Sequence, residues 1–164
     1  MLRPLEQFKC DECGQTIDSP SDGYVEWEEV EEDGHYTVRG LRIVHKPHAS
    51  PNYGGCYRYE GSPYRLDNEL TFFLEYPQQH LFSFLDPGIV HNREQRNFNK
   101  VADFPAFVDF FKRLTIPYYE EARIYFPQAM RDGLVDDNEI GLYTPERLQA
   151  IIEHYAGRAE EREE

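Results

Sequence analysis

The apolar pattern changes period near residue 67, and this change limits the fold more than any other feature of the sequence. Over residues 1–66, β-branched and aromatic residues alternate with polar ones and turn signals recur every few positions. Tyr24 to Val30 alternates, Glu31-Glu32-Asp33-Gly34 can turn the chain, and His35 to Arg39 can return it as a hairpin partner. Leu41 to His45 reads as a third strand. Cys56 to Glu60 reads as a fourth, ended by Gly61-Ser62-Pro63. From Asp67 onward apolar residues recur at helical spacing, each run opened by a cap or an early proline.

Asp67 or Asn68 is expected to cap a helix carrying Leu70, Phe73 and Leu74. Pro77 opens a second with Leu81, Phe82 and Leu85, stopped by Asp86-Pro87-Gly88, and residues 89–102 read as loop. Asp103 caps a helix whose face is Phe104, Phe107, Val108, Phe111 and Leu114. Pro117 opens another that Pro127 should kink or split, with Gly133 as its stop. Thr144-Pro145 starts the last, with Leu148, Ile151, Ile152 and Tyr155 on one face. The expectation is an α+β protein: a small zinc-stabilised antiparallel β domain (1–66), with a zinc-ribbon or treble-clef-like knuckle, packed on a C-terminal helical bundle (67–157). Residues 158–164 form a frayed acidic tail.

The chain has 164 residues and three cysteines, Cys10, Cys13 and Cys56. An odd count, with no apolar run of signal-peptide length in Met1 to Lys9, points to thiolates or a metal in a reducing cytoplasm. Cys10-Asp11-Glu12-Cys13-Gly14 has the form of a zinc knuckle: two intervening residues let both sulfurs face one ion, and glycine tolerates the left-handed backbone that follows. The expected ligands of a structural Zn²⁺ are Cys10, Cys13, His45 and Cys56. His45 ends a strand and is preferred over the loop residue His48, the alternative ligand. The plain alternative is ordinary thiols and surface histidines. A thioredoxin-type dithiol is disfavoured because Gln15 to Gly23 does not read as a helix.

The knuckle, together with Gly23 to Trp27, Ile43-Val44-His45, Cys56 and the stretch Ile116 to Arg123, resembles small uncharacterised bacterial proteins with an N-terminal zinc-binding segment. That resemblance implies a zinc-bearing first half and a helical second half. It implies no activity.

Net charge is −14, with 7 basic against 12 acidic residues over 1–66 and 10 against 19 over 67–164. Such a surface disfavours nucleic-acid phosphates and anionic membranes and favours a protein partner, possibly basic. Tyr53, Tyr57, Tyr59 and Tyr64 cluster beside Cys56, and on a strand Tyr57 and Tyr59 would share one face for partner binding. The expected function is therefore a non-enzymatic zinc-stabilised accessory or adaptor protein. Two alternatives are a metal-dependent hydrolase or nuclease of His-Asn-His type built on His45-Lys46-Pro47-His48 and Asn52, and an acidic antagonist that mimics nucleic acid. Asp86 with His91 could form an acid–base pair, Asp132, Asp136, Asp137 and Glu139 a calcium loop, and Arg93, Arg96 and Lys100 a basic island. Each reads more simply as solvated surface.

Overall fold

A long antiparallel hairpin organises the chain in the computed structural model, which describes residues 1–32, 35–52, 54–85, 100–136 and 138–160. Its arms are β3 (Gly23–Glu32) and β4 (His35–His45), preceded by the two-residue strands β1 (Phe8–Lys9) and β2 (Thr16–Ile17). The two strands expected over 35–39 and 41–45 are one. Pairing shifts between Glu26–Arg42 and Glu28–Arg39, and Gly40 sits in this bulge at φ +68°. A bulge absorbs the extra residue and restores the alternation, and a left-handed position there suits glycine. Any Cβ on Gly40 would also lie 1.9 Å from the Tyr59 hydroxyl.

The sheet runs in the order β5-β3-β4-β6. β5 is Arg65–Glu69, paired with Tyr24 to Glu28, so it crosses the boundary expected at 66/67. Two expectations are corrected here. Cys56–Glu60 is not a strand: it lies over the sheet, where Arg58 N–H donates to Glu26 Oε1 (3.0 Å) and the Tyr59 hydroxyl donates to the Gly40 carbonyl (3.2 Å). Asp67 and Asn68 do not cap a helix either. The open edge of β3 needs backbone partners, and that demand outweighs the local capping preference. α1 (Leu70–Glu75) starts after Glu69, with no side-chain cap bond.

β6 (Lys100–Val101) pairs parallel to Thr37–Val38 of β4, although 89–102 reads as loop, so the second half of the chain contributes an edge strand to the first. α2 is Pro77–Leu85 and α3 is Phe104–Thr115, and the Asp103 carboxylate accepts the Ala106 N–H at 3.0 Å. Phe107, Phe111 and Leu114 are buried and Leu81 packs on the core as expected, but each apolar face is shifted at one side. α2 buries Phe84 while Phe82 and Leu85 are exposed; α3 buries Phe107, Phe110, Phe111 and Leu114 while Phe104 is 59% exposed. Phe73, Phe84, Phe107, Phe110 and Phe111 pack on one another largely edge to face, and Phe73 and Phe84 meet Trp27 the same way, joining helices to sheet in one core with Val25, Ile43 and Leu70.

α4 (Tyr119–Arg131) begins two residues after Pro117, past a left-handed Tyr118, and is not split at Pro127. Its Ala122 and Ala129 pack on Leu148, Ile151, Ile152 and Tyr155 of α5 (Pro145–Glu160), so tertiary burial holds the helix across the one backbone bond that proline removes. Asp33-Gly34, Tyr53, Asp86 to Asn99, Asp137 and residues 161–164 of the expected tail lie outside the described residues, whereas 158–160, expected to fray, continue α5. Among those described, no helix is long and apolar enough to cross a membrane.

The shifted face of α3 yields a direct contrast. Phe110→Ala should cost about 3–5 kcal/mol in urea unfolding, as for a large core truncation. Phe104→Ala should change stability by less than about 0.5 kcal/mol, as for an exposed position.

Candidate metal centre

The ribbon of β1 and β2 pairs Phe8 with Ile17 and Lys9 with Thr16, and both Phe8 and Ile17 are fully buried. The apolar residues flanking the cysteine motif thus anchor a short turn onto the core. Gly14 N–H donates to the Cys10 carbonyl and Cys10 N–H to the Gln15 carbonyl (both 2.9 Å), closing the knuckle, with Gly14 at φ +71°. His45 ends β4, and Cys56 follows the loop that crosses back, its N–H donating to the His45 carbonyl at 3.4 Å.

These elements bring Cys10, Cys13, His45 and Cys56 together, with their ligand atoms all within 4.8 Å of one another. His45 Nδ1 lies 3.5 Å from Cys13 Sγ and 4.0 Å from Cys56 Sγ. Four donors around a tetrahedral zinc at ordinary bond lengths stand about 3.5–3.8 Å apart, so the set fits such an ion with a small contraction. His45 Nε2 is 3.2 Å from the Thr16 carbonyl. A carbonyl only accepts, so Nε2 carries the proton and Nδ1 presents its lone pair to the sulfurs. Cys56 Sγ has the Ser50 hydroxyl at 3.1 Å and accepts from Asn52 Nδ2 at 3.6 Å, donors suited to a thiolate. Cys10, Cys56 and His45 are 2–3% exposed and Cys13 is half-buried. Burial, with the Cys10 and Cys56 sulfurs nearby, pushes the Cys13 thiol up to about 11, so without an ion its proton stays on at neutral pH.

His48 stands outside this group, largely exposed, with Nε2 3.1 Å from Asp22 Oδ1.

The two residues inside the motif, Asp11 and Glu12, carry contacts that the ligand spacing does not announce. Asp11 accepts Ile43 N–H (2.7 Å) and takes two bonds from Arg113 Nη1 (2.7 and 3.0 Å), while its own N–H donates to the Ile43 carbonyl (2.8 Å). Glu12 pairs with Arg42, which also bonds the Asp11 carbonyl (2.8 Å) and the fully buried Glu26 (3.0 Å). Arg113, 4% exposed, further bonds Glu120 (2.6 Å) and the Lys9 carbonyl (3.0 Å); Glu120 in turn accepts Lys9 N–H at 2.8 Å. Burial works against the Arg113 charge, and the carboxylates of Asp11 and Glu120 outweigh it, holding its pKa above the ordinary value. The local signal is confined to the two carboxylates between the cysteines; Arg113 lies off the helical face that periodicity gives α3.

Tyr57 stacks on Tyr24 (5.8 Å between centroids) under the Arg65 guanidinium (4.0 Å), Tyr59 is half-buried, and Tyr64 is 48% exposed. Tyr57 and Tyr59 do not share a strand face, because no strand forms there. No protein-family model matches the chain, and neither does any curated protein or solved structure compared with it.

Burial, with Tyr24 adding to it and Arg65 opposing, pushes the Tyr57 hydroxyl up to about 12. A raised acid pKa contributes stability that is complete below pH ~10 and lost as pH rises through the folded value. Tyr57→Phe should therefore remove a late phenolate step near pH 12 from the ultraviolet titration and lessen the loss of stability across that window.

Proposed function

We propose that the cluster binds one Zn²⁺ through Cys10, Cys13, His45 and Cys56 and that this ion is structural. The observation that supports this reading is a set of four protein ligands, three of them almost wholly buried. Four protein donors complete a tetrahedral shell and leave no position for a reacting water. Three sulfurs with one imidazole favour zinc over harder divalent ions. When bound, the ion would tie the knuckle, the end of β4 and the loop before β5 into one unit.

On this reading the protein is a non-enzymatic adaptor of the cytoplasm that acts by binding another protein. The half-exposed rings of Tyr57 and Tyr59 and the exposed Tyr64 form its proposed partner surface; rings already held in place lose little freedom on binding. With a net charge of −14, a basic protein partner is favoured over nucleic acid or membrane.

Elemental analysis of reduced protein should find zinc at one ion per chain, lost in Cys10→Ser and Cys13→Ser. Chelation should lower the unfolding temperature markedly, because metal binding and folding are coupled. Protein without metal that keeps the same unfolding temperature as loaded protein would contradict a structural ion. For the adaptor role, a captured partner should be lost when Tyr57 and Tyr59 are both changed to Ala. A partner retained at full strength would remove the tyrosine surface from the proposal.

A further inference from the structure

The knuckle is held from outside by a buried ion-pair chain that reaches into the helical half. Asp11 stands between the ligands Cys10 and Cys13, and its carboxylate is bound on one side by the Ile43 amide, two residues before the ligand His45. Its other partner is Arg113 of α3, with Arg123 of α4 at 3.8 Å. Arg113 is in turn held by Glu120 of α4, which also bonds the backbone of Lys9, the residue before Cys10. One buried guanidinium therefore fixes both the backbone entering the knuckle and the side chain at its tip. Every member has a partner of opposite charge or a backbone group, so the chain is stiff and its geometry well specified.

We propose that Asp11, together with Arg113 and Glu120, positions the metal ligands, so that metal affinity is set partly from α3 and α4, about a hundred residues away in sequence. This rests on the reading that the four-residue cluster binds a metal. Groups beyond the ligands that orient them commonly change metal affinity by 10–100-fold when removed. Coupling between binding and a distant contact is reciprocal, so metal binding must equally tighten the docking of α3 and α4 on the knuckle.

The test measures Co²⁺ and Zn²⁺ affinity of the full chain by competition with a chromophoric chelator. Wild type, Asp11→Asn, Glu120→Gln and the surface control Arg3→Gln are compared. Asp11→Asn and Glu120→Gln should bind about 10–100-fold more weakly, while keeping the Co²⁺ absorption bands of a three-sulfur site. Arg3→Gln should match wild type. The rise in unfolding temperature on metal loading should shrink in both network variants. A merely structural role would lower loaded and metal-free stability equally and leave affinity unchanged, and that result would overturn the proposal. Glu120→Gln leaves the knuckle's side chains intact and decides the matter if Asp11→Asn does not fold. Wild-type protein that binds neither metal defeats the metal reading itself; wild-type binding with unaltered variants defeats only the positioning role.

Discussion

Arg113 lies almost entirely out of water between two carboxylates, and much of the structure is arranged so that this charge is never left alone. A buried ion costs several kcal/mol to desolvate, and removing one partner of such a pair commonly costs about 3–5 kcal/mol. Asp11, Glu120 and the Lys9 carbonyl together meet the donors of one guanidinium fork. Because those partners come from the knuckle, α4 and β1, satisfying Arg113 requires that all three be docked at once. A second buried pair, Arg42 with Glu26, does the same between the knuckle and the sheet.

The two arginines divide the labour of holding a small cysteine turn. The knuckle has few apolar groups of its own beyond Phe8 and Ile17, and the ribbon of β1 and β2 is only two residues long on each side. Such a ribbon is too short to be stable by itself. It is kept by the apolar pair beneath it, by polar contacts to β4 and α3, and, on the proposed reading, by the ion. The aromatic core behind β3 and β4 then supplies the rigid platform on which His45 stands.

Loop residues that cover the second face of the sheet explain why the tyrosines sit as they do. Glu26 is fully buried beneath Arg58 N–H and Arg42, Ser62 bonds Glu28 at 2.6 Å, and Glu29 N–H donates to the Tyr64 carbonyl at 2.9 Å. The segment from Cys56 to Tyr64 is thus stitched down by polar bonds rather than by strand pairing. Tyr57 and Tyr59, carried on this segment, are half-buried as a consequence.

Local chemistry alone determined the α+β division, the turn of β3 back into the first part of β4, the Asp103 cap, the start of α5 and the Cys10-x-x-Cys13 knuckle. Each depends on periodicity, capping or ligand spacing within a few residues. What tertiary structure decided was which way those elements face and what completes them. Phe110 rather than Phe104 is buried because α3 must also turn Arg113 toward Asp11. Arg65 to Glu69 became a strand because β3 had an open edge, and Lys100–Val101 joined β4 from the far side of the helices. The carboxylates inside the cysteine motif found their meaning only through Arg42 and Arg113. A charge partner a hundred residues away leaves no local pattern, and only the folded chain brings the two within bonding distance.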